Sequence, residues 1–555
     1  MNRYLDPIAA VEQPREDFIR HLLTAYPLRD PHLRYGLKQL LEQPGNVWQH
    51  PYLEGSQPYR TANSVSELVN QGVLQKDMAS LFTPSSRPLY EHQEQALREV
   101  IQQQQNIVVA TGTGSGKTEC FLIPMLDMLL KEGDNLSLAG VRAVILYPMN
   151  ALVNDQVKRL RQLLCRQKTA RIRFGFYTSR TEKEKKKALE SLAAEFEAYE
   201  PEELRQLFTE AERESLNDER LIEQAIEKTS QVQLLSREEI WEAPPHILIT
   251  NYSMLEHMLI RPVERREIFE ASVDTFKMLV VDEAHTYDGS KGTEVSMLLE
   301  RFKASVGVEQ KGKIRCIATS ASLGDKRVDQ NVKDFAGELF GESFSQVIRG
   351  DRLTAEARLG KPHTLPAELT NEEILQYLSI LEVPEPDAPI SQWFDQLSAI
   401  VPAQQLEAAQ SQADGDIHKF LWCALKQHPL VHRLINLLKR EPQPWEQVVR
   451  STELWGVNLP IKLDGSVDDT DAKLALAYLL QLGSLARENP EDLPLLPVRL
   501  HLLFRSLEGL YACINPDCSG AVRDPNHSER PLQYGRLYLN EKTTCDSRAS
   551  PVMEL

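Results

Sequence analysis

The glycine-rich stretch VVATGTGSGKTE, residues 108–119, constrains the fold of this chain more than any other segment. Apolar residues lead into the spacing G-x-x-x-x-G-K-T, from Gly112 to Thr118, and the helical pattern ECFLIPMLDML follows. Glycines let backbone N–H groups turn inward around a phosphate, and the N-terminus of the following helix adds partial positive charge. The stretch therefore predicts a buried strand, a phosphate-binding loop and a helix, which together form one unit of a parallel α/β sheet.

The predicted ligand of this loop is ATP with Mg²⁺. We expect Lys117 to neutralise the β and γ phosphate oxygens and Thr118 to supply a hydroxyl ligand for Mg²⁺. Upstream, in RPLYEHQEQAL, Gln93 offers a donor and an acceptor that match the edge of adenine, which favours ATP over other nucleoside triphosphates. The residues predicted to bind the nucleotide are Gln93, Thr111, Gly112, Thr113, Gly114, Ser115, Gly116, Lys117 and Thr118.

A second motif, KMLVVDEAHTY, places acidic residues at the end of another apolar run. Because ligands collect at the carboxyl ends of strands in open α/β sheets, we expect Asp282 and Glu283 beside the phosphate loop. Asp282 would hold Mg²⁺ through water, and Glu283 would polarise the attacking water. His285 lies where it would relay the state of the nucleotide to a polymer groove. The predicted catalytic set is Lys117, Asp282, Glu283 and His285.

Short apolar runs alternate with helical stretches in the first half of the chain, which predicts a doubly wound parallel sheet. The runs are residues 107–110, 141–147, 171–177, 246–250, 278–281 and 315–319. The predicted divisions are an N-terminal helical or irregular region (1–80), the α/β lobe (81–335) with a charged helical insertion (181–242), a mainly helical region (336–500) and the start of a cysteine-containing module (501–555). The KEKKK run of the insertion is interpreted as a solvated face.

Composition limits the possible partners. No apolar run of the 555 residues approaches the ~20 needed to span a membrane, and the first residues lack the apolar centre of a signal peptide. We therefore expect a cytoplasmic protein with no membrane partner. A formal net charge of −17 argues against a surface that is basic all over, but a local basic groove is enough to bind nucleic acid.

Three cysteines near the end of the sequence are grouped as a metal site would require. Cys513 and Cys518 lie on a turn in YACINPDCSGAV, and Cys545 follows later. Paired thiolates followed by a distant second pair are typical of a structural Zn²⁺ site. The fourth ligand is missing unless His527 serves. A continuation past Leu555 is expected to carry the missing cysteine.

Taken in order, YEHQ, ATGTGSGKTE, YPMNALVNDQ, ITNYSMLEHML, VVDEAH and ATSASL resemble the motifs of superfamily 2 nucleic-acid helicases. Within them the chain is similar to the MrfA/YprA-type group of DNA helicases, which similarly combine TNY-ML with DEAHTY-G. The segment LPVRLHLLFRSLEGLYACINPDC resembles the one that leads into a cysteine cluster in large helicases of that group, including anti-phage defence helicases. The resemblance implies a RecA-like lobe and a role in genome maintenance or phage defence, together with a possible defence-system partner.

The resemblance also gives roles to otherwise neutral residues. It implies that the sugar-phosphate backbone of single-stranded or partly duplex DNA contacts Tyr147, Pro148, Asn150, Gln156, Thr250 and Asn251. It implies that ATP hydrolysis is coupled to strand movement by Ser320, Ala321 and Ser322, with Ser322 where Thr is usual.

Helicases of this superfamily hydrolyse ATP between two RecA-like lobes, and nothing after Phe335 predicts a second one. We therefore expect this chain to be the N-terminal part of a longer helicase, or a subunit completed by another polypeptide. Two alternatives remain open from the sequence. In the first, the substrate is RNA instead of DNA, since motifs that grip the backbone do not exclude a 2′-hydroxyl. In the second, the chain is a non-catalytic, nucleotide-gated scaffold subunit.

Overall fold

A computed structural model describes residues 9–82, 84–112, 114–167, 172–320, 328–363, 370–384, 388–439, 442–460, 468–490, 492–546 and 550–554. The helices are α1 (Ala9–Ala25), α2 (Pro31–Glu42), α3 (Val65–Asn70), α4 (Met78–Leu81), α5 (Glu91–Ile101), α6 (Lys117–Leu130), α7 (Asn150–Leu164), α8 (Lys185–Glu197), α9 (Pro201–Arg205), α10 (Glu210–Arg213), α11 (Leu221–Val232), α12 (Arg237–Glu242), α13 (Tyr252–Ile260), α14 (Pro262–Glu264), α15 (Gly289–Ser305), α16 (Asp329–Phe340), α17 (Ala355–Leu359), α18 (Asn371–Ser379), α19 (Ile390–Leu397), α20 (Ala403–Ala413), α21 (Ile417–Leu425), α22 (Pro429–Leu437), α23 (Trp445–Val449), α24 (Thr452–Trp455) and α25 (Thr470–Leu485).

The strands are short, as in most parallel sheets. They are β1 (Tyr52–Gly55), β2 (Thr61–Ser64), β3 (Pro88–Tyr90), β4 (Ile107–Ala110), β5 (Ala143–Tyr147), β6 (Phe174–Tyr177), β7 (Gln233–Leu234), β8 (Ile247–Asn251), β9 (Met278–Val281), β10 (Arg315–Ser320), β11 (Gln346–Arg349), β12 (Gln443–Pro444), β13 (Val498–His501), β14 (Tyr511–Cys513), β15 (Leu537–Tyr538) and β16 (Val552–Glu554).

The chain divides into two compact units, one of residues 59–351 and one of residues 1–58 with 352–555. The first unit contains an eight-stranded sheet in the order β11-β4-β10-β9-β5-β8-β6-β7. Every neighbouring pair of strands in it is parallel. The predicted α/β lobe is confirmed, and each of the six predicted apolar runs overlaps a strand of the sheet.

The sheet of the first unit is covered on both faces because its central strands β4, β5 and β9 are apolar and buried at every position. Ile145 and Tyr147 of β5 face one hydrophobic core with α6 and α7, and Val144 and Leu146 face a second core with α13 and α15. Alternate residues of a strand point to opposite faces, so an unbroken apolar run fills both cores at once. All parallel strands therefore end at the same edge, where the predicted motifs meet.

The other unit is mainly helical, with a core that includes Trp393 and Trp455. The N-terminal segment belongs to this unit because β1 pairs antiparallel with β13, with Leu53 opposite Leu500. The division between units therefore differs from the sequence boundaries at 80, 335 and 500, which stay predictions. Within the described residues, no helix is long and apolar enough to cross a membrane.

Candidate functional site

The phosphate loop lies between β4 and α6, as the sequence predicts. Gly116, the residue before α6, and Gly114 have left-handed backbone conformations with φ of 71° and 74°. A Cβ built on Gly116 would clash with Gln93 Nε2, and the left-handed backbone also favours glycine there. Thr113 falls outside the described residues. The loop therefore leads directly into α6, whose first residue is Lys117, and its backbone is turned for binding a phosphate.

Helix α5 contacts the phosphate loop through two side chains. Gln93 Nε2 donates to the Gly116 carbonyl over 3.0 Å, and Gln93 Oε1 accepts from the Tyr90 N–H over 2.8 Å. His92 Nε2 donates to the Ser115 carbonyl over 3.0 Å. Burial lowers the pKa of His92, which keeps the ring neutral. Adenine contact by Gln93 stays a prediction, because both ends of its carboxamide bind backbone here.

The acidic residues predicted at the end of β9 lie opposite the loop. Asp282 Oδ1 accepts a hydrogen bond from the hydroxyl of Thr319, on the neighbouring strand β10. Burial raises the pKa of Asp282, and the adjacent Glu283 charge adds to this effect. Asp282 is therefore a desolvated carboxylate whose charge a bound cation would stabilise. Thr319 was not predicted, although its motif ATSASL contains it.

Lys117 and Glu283 form an ion pair across the site, with 2.9 Å between Nζ and Oε1. Glu283 has a left-handed backbone, with φ of 50°, and this conformation is costly for a residue with a side chain. Strain of this kind persists where the surrounding structure fixes it, and here it directs the carboxylate at the loop. The three predicted residues Lys117, Asp282 and Glu283 thus come together although 165 residues separate Lys117 from Asp282 along the chain.

His285 connects the acidic residues to β10. Its Nδ1 lies 3.4 Å from Glu283 Oε2 and forms a hydrogen bond of 3.1 Å with the Ser320 hydroxyl. The Ser320 carbonyl in turn accepts from the Thr111 N–H over 3.2 Å. Of the three predicted coupling residues, Ala321 and Ser322 lie outside the described residues. A chain of contacts from the phosphate loop through Ser320 to Glu283 is therefore present.

Mg²⁺ has a suitable set of donors in this cleft. Hard cations prefer oxygen ligands, and carboxylates and hydroxyls with water complete their shell. Asp282 brings a buried carboxylate, and its Oδ1 accepts from the Thr319 hydroxyl. Thr118 follows Lys117 in the first turn of α6 and is half-buried. Thr118 and Asp282 therefore fit the metal that the motifs imply.

The residues expected to contact nucleic acid divide into two groups. Tyr147 and Thr250 are completely buried, and the Thr250 hydroxyl donates to the Tyr177 carbonyl over 2.6 Å. Their side chains are not available to a strand, which corrects the expectation for these two residues. The reason is that both are the inward-facing ends of core strands, β5 and β8.

The other group is partly exposed at the carboxyl ends of β5 and β8. Asn251 Nδ2 donates to Asn150 Oδ1 over 2.6 Å, which joins the two strand ends. Asn251 Oδ1 also caps α13 by accepting from the Met254 N–H over 2.8 Å. Pro148 and Gln156 are half-buried nearby in sequence. A strand-binding role for these four residues stays a prediction.

The three cysteines predicted to bind metal are brought together in the other unit. The Sγ atoms of Cys513, Cys518 and Cys545 all lie within 4.8 Å of one another. The Tyr538 hydroxyl donates to Cys545 Sγ over 3.2 Å. The predicted alternative ligand, His527, is engaged elsewhere, with its Nδ1 3.0 Å from Asp524 Oδ2. Three thiols at this spacing can hold a metal ion.

A phosphate loop, an acidic strand end and a parallel sheet occur together in this unit. Residues 90–223 and 215–330 match the family model described as DEAD/DEAH box helicase. The chain is therefore similar to the DEAD/DEAH box helicases over this region.

Particular relatives extend the match. The chain is 30% identical to Druantia protein DruE of Escherichia coli over 601 residues, which is 96% of this chain and 31% of that protein. It is 25% identical to an ATP-dependent helicase of Methanocaldococcus jannaschii over 304 residues, 55% of this chain and 34% of that one. The chain thus spans about a third of the length of these relatives.

Among solved structures, the DUF1998 helicase MrfA bound to DNA and AMPPNP is similar with 18% identity and a TM-score of 0.36. That likeness covers 69% of this chain and 47% of the other.

Proposed function

We propose that this chain is the first motor lobe and N-terminal portion of an ATP-dependent DNA helicase or translocase. The observation that carries the proposal is the ion pair of Lys117 and Glu283, 2.9 Å long, beside the buried Asp282. A cation and two carboxylates facing a phosphate loop are the groups that ATP hydrolysis needs. Helicase relatives that match 96% and 55% of the chain support the same role.

The ion pair suggests how the residues act when ATP binds. The γ-phosphate would compete with Glu283 for the Lys117 ammonium, because both are anionic ligands of the same group. Once Lys117 turns to the phosphate, the Glu283 carboxylate is released and can accept a proton from the attacking water. Thr118 and Asp282 would hold Mg²⁺, which would neutralise charge on the phosphates.

Strand binding is assigned to the edge of the sheet next to the nucleotide. The half-buried amides of Asn150 and Asn251 can donate to phosphate oxygens without reading base identity. Tyr147 and Thr250 would support that edge from the interior. The contacts from Thr111 through Ser320 and His285 to Glu283 give a route by which nucleotide binding reaches β10.

We infer a second RecA-like lobe, in further sequence or in a partner polypeptide, that brings the arginine needed at the γ-phosphate. The resemblance to anti-phage helicases favours a role in defence over repair, with a possible defence-system partner. We place this activity in the cytoplasm.

ATP turnover tests the proposal most directly. Turnover is measured for this chain and for a version extended past Leu555, with and without single-stranded DNA. Lys117→Ala should abolish DNA-stimulated turnover, whereas Lys311→Ala, an exposed lysine before β10, should leave it unchanged. Because a missing arginine costs about 10³ or more in rate, the extended form should be much faster. Turnover that persists at full rate in Lys117→Ala would refute the assignment.

The choice of substrate is tested with the same protein. DNA and RNA of equal length and base composition are compared as activators. Stronger stimulation by RNA would favour the RNA helicase alternative. Defence or repair that survives Lys117→Ala in the assembled protein would favour the scaffold alternative.

We also propose that the cysteine cluster binds Zn²⁺, with a fourth ligand from outside the described residues. Buried thiols within 4.8 Å of one another support this. Elemental analysis should give one zinc per chain. Cys545→Ser should lose this zinc. Cys423→Ser, which changes a cysteine outside the cluster, should retain it. Zinc-free protein after purification without chelator would contradict the proposal.

A further inference from the structure

We propose that the basic segment, residues 180–187, binds phosphates of a single DNA strand and so extends the strand path beyond Asn150 and Asn251. The inference rests on the proposed function and adds a surface to it. The sequence interpretation treated this run as a solvated face, and its placement in the structure is what changes that interpretation.

The basic segment lies at the same edge of the sheet as the two asparagines. Strand β6 pairs in parallel with β8, with Tyr177 opposite Thr250. Because neighbouring strands are about 4.8 Å apart, residues that follow Tyr177 lie one strand beyond Asn251. The order β5-β8-β6 thus places Asn150, Asn251 and the basic segment along one line at the carboxyl edge.

The start of the basic segment is held rigidly. Thr181 is 4% exposed, and its hydroxyl donates to the Phe176 carbonyl over 3.0 Å while accepting from the Thr178 N–H over 2.9 Å. Arg237 donates from Nε to the Thr181 carbonyl over 3.0 Å and from a terminal nitrogen to the Thr178 carbonyl over 3.2 Å. A turn fixed in this way loses little conformational entropy when a ligand binds.

The cations of the basic segment point to solvent. They are Arg180, Lys183, Lys185, Lys186 and Lys187. Lys185 pairs with Glu239 over 2.8 Å, and Lys187 lies 3.9 Å from Glu184. Lys183 and Lys186 have no ion pair with any described residue. In a chain of net charge −17, unpaired cations beside a strand-binding edge indicate an anionic polymer as ligand.

Helix stability alone would not select these lysines. Three of them occupy the first turn of α8, which has no acidic residue, although the positive end of the helix dipole favours acids there. The other helices of the insertion, α9, α10, α11 and α12, each have at least one acidic residue in the first turn. The lysines of α8 therefore oppose the local electrostatic preference, as expected where binding sets the residue type.

The test uses the full chain and a fluorescent single-stranded oligothymidylate of about 20 nucleotides. Affinity is measured by anisotropy over a series of salt concentrations for Lys183→Glu/Lys186→Glu. The matched control is Lys311→Glu/Lys313→Glu, the same charge change on exposed residues before β10, at the opposite edge of the sheet.

We expect the Lys183/Lys186 variant to bind at least about tenfold more weakly, with the slope of log affinity against log salt reduced by about 1.4 for two lost contacts. Its Tm should be unchanged or higher, because glutamate suits a helix N-terminus. The control should keep wild-type affinity and slope. Lys183→Gln/Lys186→Gln, which removes charge without reversing it, should show a smaller loss in the same direction.

The outcomes separate this inference from the proposed function. If wild type binds DNA and both Lys183/Lys186 variants match it, the basic segment is a solvated face and the inference is refuted, while the proposed function stands. If the control weakens binding equally, the effect is general electrostatics and the inference is again refuted. If wild type does not bind the oligonucleotide at all, the proposed function and the inference fail together.

Discussion

At the residue scale, the buried carboxylate of Asp282 lowers the stability of the folded chain when no metal is bound. A raised pKa means that the folded chain holds the Asp282 proton more tightly than the unfolded chain does. The contribution of Asp282 to stability is therefore unfavourable at neutral pH and becomes less so as the pH falls through the raised pKa. The bound metal would compensate the charge that the fold leaves desolvated.

We accordingly predict that Asp282→Asn, which mimics the protonated acid, stabilises the metal-free chain at pH 7. A gain of about 1 kcal/mol would raise Tm by about 2–4 °C. The difference from wild type should shrink at acidic pH, where Asp282 itself becomes protonated. Differential scanning fluorimetry at both pH values measures this. A lower Tm for the variant at neutral pH would mean that the Thr319 hydrogen bond outweighs burial.

A second prediction concerns the backbone of the phosphate loop. Gly116 and Gly72 have nearly equal φ, 71° and 72°, but a Cβ on Gly116 would meet Gln93 and Glu119, whereas a Cβ on Gly72 would meet nothing within 4 Å. Gly72→Ala should thus cost only the left-handed conformation, about 1 kcal/mol. Gly116→Ala should cost more.

Denaturant unfolding and binding of a fluorescent ATP analogue check both glycine variants. Gly116→Ala should lose binding because the Gln93 contact with the loop must move, while Gly72→Ala should bind as wild type does. Equal unfolding free energies for the two variants would show that Gln93 yields at little cost.

At the residue level, the motifs predict which side chains meet at the site, while their catalytic and binding roles stay predictions. Lys117, Asp282 and Glu283 were predicted from local spacing, and the sheet brings them together. His92 and Thr319 were missed, because their roles depend on which backbone and carboxylate groups the fold places beside them. Tyr147 failed for the opposite reason, since its motif does not show that its side chain points inward.

At the element scale, apolar runs in the sequence predicted the central strands of the sheet but not its two edge strands. The strands at either edge, β7 and β11, were not predicted. One has two residues, and the other is partly exposed, so neither makes a continuous apolar run. The signal is strongest where both faces of a strand are buried.

The charged insertion is attached to the lobe by a buried arginine, which gives a third prediction. Arg161 of α7 is 3% exposed and donates hydrogen bonds of 2.9 Å to the side chains of Gln233 and Glu195. Its guanidinium lies 5.1 Å from the centre of the Phe196 ring. Arg161→Met keeps an unbranched apolar stem but removes the guanidinium and leaves these partners unpaired, at a cost of about 1–3 kcal/mol.

We expect Arg161→Met to make residues 181–242 more sensitive to limited proteolysis without changing affinity for ATP. The matched control is Arg205→Met, which removes an exposed pair with Asp218, and it should behave as wild type does. Cleavage sites are identified by mass spectrometry. Wild-type resistance in Arg161→Met would show that apolar packing alone holds the insertion.

At the scale of the whole molecule, the two units are not consecutive in the sequence. Leu53 and Leu500 pair across more than 400 residues, and local patterns carry no information about such a contact. The sequence therefore predicted the α/β lobe and the helical character of the later region, but not that residues 1–58 join 352–555.

Each unit contains a histidine that folding keeps neutral. Burial lowers the pKa of His246 in one unit and of His428 in the other to about 4, from an ordinary 6.5. Between these values the unfolded chain binds more protons than the folded chain does. The stability that each histidine contributes is therefore complete above pH 6.5 and is lost as the pH falls towards 4, by about 1.4 kcal/mol per pH unit.

Removing one histidine should protect only its own unit from acid. His428 Nδ1 accepts from the Leu430 N–H at the start of α22, and asparagine at that position can cap the helix without titrating. Five of the six tryptophans lie in the unit of His428, the exception being Trp241. In a Trp241→Phe background, fluorescence consequently reports that unit alone. His428→Asn should move its acid midpoint to lower pH, and His246→Asn should leave it in place. If both variants shift the acid midpoint equally, the two units unfold cooperatively and do not have separate stabilities.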